Sequence, residues 1–141
     1  MDYEVRVDVD APRERVWEVL AAVTEWPEWT ASMQQLTPLD DGPLGVGSRV
    51  RVRQPSLPTV VWTISTWEPG RRFTWESSSP GVATAADHEL DDRGDGTTVV
   101  LRIRQKGLLA PLVHLLIGKR TRRYVQMEAD GLKARAEAGD P

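Results

Sequence analysis

Few side chains in this sequence of 141 residues can do chemistry, and their types limit which chemistry that is. No cysteine is present, so thiol nucleophiles, disulfides, thiolate-bound zinc and iron–sulfur clusters are excluded in one step. The two histidines, His88 and His114, cannot form a His-rich metal site alone, and no metal or other cofactor is expected. Serines cluster in a turn at Ser77, Ser78 and Ser79 with no triad pattern around them, and no Gly-rich phosphate loop precedes a helix. His88, Glu128 and Tyr124 remain. His88 stands among apolar neighbours, as a core residue with its hydrogen bonds made or as a donor or general base at the floor of a cavity. Glu128 falls in the apolar arc of a helix, where a carboxylate must be paired, hydrogen-bonded or protonated. It either links to an Arg or a Trp N–H and anchors the helix end, or it anchors a ligand. Tyr124 would add a hydroxyl across from His88.

The other chemical resource is aromatic surface. Six tryptophans stand against two tyrosines and one phenylalanine. Each Trp brings about 150 to 250 Å² and an N–H that needs a partner when buried. Trp26 and Trp29 lie three positions apart in TEWPEWTASM. They belong either to a solid core or to the surroundings of a cavity.

The elements that must position these groups are legible as periods. Tyr3, Val5, Val7 and Val9 alternate with charged residues, the signature of a strand with one buried face. Asp10-Ala11-Pro12 turns the chain into a helix, with Pro12 in its first turn and Val16, Leu20 and Val23, widened by Trp17, on its inner stripe. Pro27 breaks that pattern, so Trp26 to Met33 reads as a second short helix. Gly42 to Gly47 is a loop by composition, with a cavity mouth as the place it could cover. Strands are expected over 48–53, 60–67, 71–77, 82–90 and 97–106, separated by turns such as Glu68-Pro69-Gly70, and such tight spacing means antiparallel hairpins. From Leu109 to Ala136 the period becomes helical, and Gly139-Asp140-Pro141 reads as a frayed end.

Charge excludes some partners. The chain carries 18 basic and 21 acidic residues, so no overall field draws it to nucleic acid or to anionic lipid. Lys119, Arg120, Arg122 and Arg123 read as a solvated helix face. The first residues lead into a strand without the charged start and apolar run of a signal peptide, and the most apolar stretch, Leu108 to Ile117, is too short to span a membrane. The expectation is a cytoplasmic protein, monomer or homodimer, without stable membrane insertion. The outer side of Leu108 to Ile117 must meet something, and the short helices holding Trp26 and Trp29 are the most economical cover, ahead of a partner subunit or a membrane surface.

Certain residues carry a resemblance over nearly the whole chain. These are Val9-Asp10-Ala11-Pro12 followed by Val16-Trp17, then Trp26-Pro27-Glu28-Trp29, Trp67-Glu68-Pro69-Gly70-Arg71-Arg72-Phe73 and Gly96-Thr97-Thr98. In them the chain resembles the helix-grip superfamily of START-type lipid-transfer domains, birch-pollen-type allergens and the polyketide cyclase/dehydrase group. The resemblance implies an α+β fold in which a curved antiparallel sheet of about six or seven strands wraps a long C-terminal helix, with two short helices after the first strand. Residues 1–141 would form one domain, ordered over about 2–137. It also implies that hydrophobic or aromatic molecules bind between sheet and helix.

With Val99, Leu101 and Ile103 inward, alternation turns Val60, Trp62 and Ile64, then Phe73 and Trp75, then Ala86, His88 and Leu90 to the same side. On the long helix, Val113, Ile117, Thr121, Tyr124, Val125 and Leu132 share one arc. The expected site is therefore Trp29, Trp62, Ile64, Phe73, Trp75, His88, Leu101, Ile117, Thr121 and Tyr124, binding a hydrophobic, ring-containing small molecule, with small Ala83, Ala85 and Ala86 leaving space. Two other readings stay open. One is a polyketide cyclase or dehydratase in which His88 or Glu128 moves protons; the other is a co-chaperone-like interaction module that uses the Leu108 to Ile117 surface around a filled interior.

Overall fold

The computed structural model describes residues 2–138, so Met1 and the expected frayed end Gly139-Asp140-Pro141 lie outside the described residues. Strand β1 (Asp2–Val9) leads into helix α1 (Arg13–Ala21), capped by Pro12, and a 3-10 helix over Val23–Glu28. Six further strands follow: β2 (Gln35–Pro38), β3 (Arg49–Arg53), β4 (Val60–Glu68), β5 (Arg72–Ser79), β6 (Val82–Arg93) and β7 (Gly96–Lys106). Helix α2 (Ala110–Glu137) closes the chain. All seven strands form one antiparallel sheet in the order β1-β7-β6-β5-β4-β3-β2, the α+β helix-grip arrangement.

Register places the alternating residues as the sequence implies. Phe73 pairs with His88 and His88 with Leu101, which pairs with Val5, so these four share one face. Trp62, Ile64, Trp75, Ala86 and Ile103 continue that face through their own pairings. A bulge at Ser65 shifts the register between Ile64 and Thr66, which brings Trp67 rather than Thr66 opposite Phe73.

Three expectations change. Strand β2 has no place in the sequence reading, because four residues with a single buried apolar side chain, Leu36, carry too little alternation to detect. The second short helix is a 3-10 helix that begins and ends earlier than Trp26 to Met33. Beyond Trp29 the Thr30 and Ser32 hydroxyls bond to each other at 2.6 Å and Thr30 Oγ1 accepts from the Ser32 N–H, a local alternative to helical bonding. The Gly42 to Gly47 loop does not cover a cavity mouth. It lies against β4, where the Gly47 N–H donates to the Ile64 carbonyl and the Ile64 N–H to the Ser48 carbonyl.

Helix α2 is held at both ends. At its start the Leu109 N–H donates to the Gly81 carbonyl at 2.8 Å, fixing it to the β5–β6 turn. At its end Lys133 Nζ donates to the Asp8 carbonyl, Glu137 accepts from the Asp10 N–H, and Arg15 donates to the Arg135 carbonyl. The middle of the helix is thereby suspended across the sheet.

The opposite sheet face carries a charge network. Asp87 accepts from Arg104 at 2.7 and 2.9 Å and from the Thr74 hydroxyl at 2.7 Å, and Arg102 binds Glu4 at 2.9 Å. Burial pushes the Asp87 carboxyl up, but the bonds from Arg104 and Thr74 and the charge of Arg102 outweigh it and hold the group below its ordinary value. A depressed folded-state value means stability that is present above the ordinary carboxylate range and lost as pH falls through the folded value. Asp87→Asn is expected to cost about 1 kcal/mol at neutral pH. Urea unfolding across the acid range should show this deficit shrinking toward zero, and a constant deficit would contradict the assignment.

Candidate ligand-binding cavity

Suspending α2 leaves a cavity of about 700 Å³ between its N-terminal and middle turns and the sheet. Strand alternation supplies one wall: Trp62, Trp75, Ala86, His88, Leu101 and Ile103 all line it. The helical period supplies the other, with Val113, Ile117, Thr121, Tyr124, Val125 and Glu128 one or two turns apart. The rim includes Pro58, Thr59, Ser78 and Ser79, all exposed. An apolar enclosure with few polar groups is the usual form of a small-molecule site.

The aromatic wall has a defined geometry. Trp62 and Trp75 stack with centroids 5.8 Å apart and planes 26° apart, and Trp75 meets the His88 ring edge-on at 5.7 Å. Behind that wall Phe73 stacks on His88 at 4.1 Å. His88 is 3% exposed and Glu128 7%, and Nε2 of the first lies 3.4 Å from Oε1 of the second. His88 Nδ1 lies 3.2 Å from the Phe73 carbonyl, which can only accept, so Nδ1 carries the proton of that bond. The approach of Nε2 to Glu128 does not reach hydrogen-bond geometry, and Glu128 Oε1 is buried without a hydrogen-bond partner. Such a group costs about 1–3 kcal/mol, and an arriving donor would satisfy it.

Of the residues expected from sequence, Trp62, Trp75, His88, Leu101, Ile117, Thr121 and Tyr124 are together on the cavity wall, with Glu128. Ile64 and Phe73 are not. Both are 1% exposed or less, packed behind the wall in the core. Trp29 is not on the wall either: its ring lies behind Trp26 at 5.5 Å, and it packs on Gly131 of α2. Trp26 is fully buried with its ring against Trp75 and His88 and also reaches the cavity. Nor do these tryptophans cover the start of α2, whose outer leucines stay exposed.

The Tyr124 hydroxyl does not point across to His88. It donates to the Pro55 carbonyl, and Arg120 donates to the Ser56 carbonyl at 3.2 Å, so two residues of α2 latch the β3–β4 loop. Ser56 holds φ at 61°, a left-handed conformation at the latch. Gln54, Leu57 and Met33 also line the cavity, and the sequence does not reveal them because loop residues have no period to show their direction.

A family model described as polyketide cyclase / dehydrase and lipid transport matches residues 1–137. No curated protein matches the sequence. Among solved structures, TTHA0849 from Thermus thermophilus superposes with a TM-score of 0.79 at 19% identity, covering 100% of both chains. The Zhui aromatase/cyclase from Streptomyces sp. R1128 gives 0.77 at 19% identity over 97% of this chain and 93% of that one. Ara h 8.0201 gives 0.74 at 10% identity over 99% of each. At these identities the likeness is one of fold. Among the described residues no helix is long and apolar enough to cross a membrane.

Proposed function

This chain belongs to the polyketide cyclase / dehydrase and lipid transport family, and we propose that it binds a hydrophobic, ring-containing molecule that carries a hydrogen-bond donor. The observation that carries the reading is the buried, unpartnered Oε1 of Glu128 on the wall of a cavity faced by stacked Trp62 and Trp75. Aromatic faces give a flat ligand area without fixing its direction. A buried acceptor at the inner wall fixes which edge enters first.

A matched pair of probes tests this. Naphthol and naphthalene have the same rings, and only the first can donate to Glu128. Calorimetric titration is expected to show naphthol bound up to about tenfold more tightly, from the ordinary net worth of a hydrogen bond. In Glu128→Leu that preference should vanish, and in Trp62→Leu both affinities should fall together. Equal affinities in the unaltered protein would refute the anchoring role. Absence of binding by either probe, with a native mass equal to the denatured one, would refute the cavity as a site.

The contact between His88 and Glu128 also favours a second reading. Nε2 and Oε1, 3.4 Å apart where the strand wall and the helix wall meet, are within reach of a single ligand atom, the minimum that a cyclising or dehydrating enzyme needs to take and return a proton. Turnover of a polyketide-like substrate that survives in the His88→Ala, Glu128→Ala double variant would exclude it.

A further inference from the structure

The start of α2 carries an apolar ridge that nothing in the fold covers. Leu112, Leu115 and Leu116 lie along one side of the helix and Leu108 in the turn just before it, and Leu108 and Leu115 are 95% and 79% exposed. The same side continues into Lys119 and Arg123, flanked by Arg120 and Arg122, all exposed. Arg120 and Arg122 direct their hydrogen bonds to the Ser56 carbonyl and to His114, not to a carboxylate. From Gly96 to Met127 the sequence contains no acidic residue, although the chain as a whole has a net charge of −3. An apolar ridge and a cationic collar are thus joined on one helix, over the same turns whose inner side, through Val113 and Ile117, lines the cavity.

We propose that this ridge docks the protein on an anionic lipid surface, with the leucines in the acyl boundary and the collar against the headgroups. The combination of apolar side chains and adjoining cations on one helix is what interfacial binding requires. Charge complementarity selects this occupant. A second copy offers no acidic group from its own ridge or collar to meet these cations, since the sequence from Gly96 to Met127 has none. Leucine tips this exposed stand out from the surface and suit a fluid phase that closes around them. Docking there sets the cavity rim beside the lipid, and the docking itself holds whether or not the cavity takes a ligand.

Flotation of the full chain with vesicles of phosphatidylglycerol, against vesicles of phosphatidylcholine alone, tests the proposal. The protein is expected to float with the first and not the second, and to be released by salt. Leu115→Ser with Leu116→Ser removes only exposed side chains and should lower the bound fraction about tenfold with circular dichroism unchanged. Lys119→Glu with Arg123→Glu should abolish the preference for the anionic lipid. The proposal is overturned if the protein does not float with phosphatidylglycerol at low salt, or if both leucine substitutions leave flotation unchanged. It is equally overturned if light scattering shows a dimer that the leucine variant dissociates, since a second copy then covers the ridge.

Discussion

Trp26→Ala is expected to cost about 3–5 kcal/mol of folding free energy, the range for truncating a fully buried large aromatic. Trp26 has no exposed surface, and its ring meets Trp29, Phe73, Trp75 and His88. Its Nε1 donates to the Leu20 carbonyl at 2.9 Å, tying the 3-10 helix to the end of α1. Truncation removes the ring, strands that carbonyl and opens a void contiguous with the cavity, so little of the lost packing can be recovered by collapse. Trp62 is a useful contrast. It is half-buried, faces the cavity and stacks on Trp75 alone among the aromatic residues. Trp62→Ala should therefore cost far less stability while weakening ligand binding. Urea midpoints of the two variants measured side by side decide the matter. A Trp26→Ala midpoint near that of Trp62→Ala would show that Trp26 is not the hub of the aromatic core.

The same contrast explains what could be read from the sequence and what could not. Strand alternation identified the shared face of Phe73, His88, Leu101 and Val5, because a one-residue error would have exposed a whole strand's apolar side chains. Helical period likewise identified the arc from Val113 to Glu128. Depth along that face was not legible. Ile64 and Phe73 alternate with the same phase as Trp62 and Trp75, yet they sit where α1 and the 3-10 helix fill the space that α2 leaves open further along. Trp26 and Trp29 were harder still, since a segment with neither a strand nor an α-helical period gives no direction to a side chain. Leu108 to Leu116 misled for a different reason. Apolar periodicity reports a face that is stable in contact with something apolar, and the fold need not supply the contact.

Gly131→Ala tests the placement of Trp29 by reversing the sign that helix propensity alone would give. In an exposed helix interior this change stabilises by about 1 kcal/mol, since glycine is the poorer helix former. Gly131 lies in α2 where the chain after the 3-10 helix crosses it. A β-carbon there would run into the Trp29 carbonyl oxygen, with the carbonyl carbon and a ring carbon of Trp29 each 3.0 Å away. Backbone cannot swing aside as a side chain can, so α2 or the Trp29 segment must move, an overpacking cost toward the upper end of about 1–3 kcal/mol and beyond. The net expectation is a loss of about 2 kcal/mol despite the gain in propensity. Gly118 on the same helix is the control. A β-carbon there meets only the ring of His114, at 3.2 Å, and that half-buried side chain can yield. Gly118→Ala should therefore be neutral or stabilising in thermal unfolding while Gly131→Ala destabilises. If both variants stabilise, the Trp29 carbonyl does not rest on Gly131, and the packing that holds Trp29 behind Trp26 and off the cavity wall would have to be redrawn.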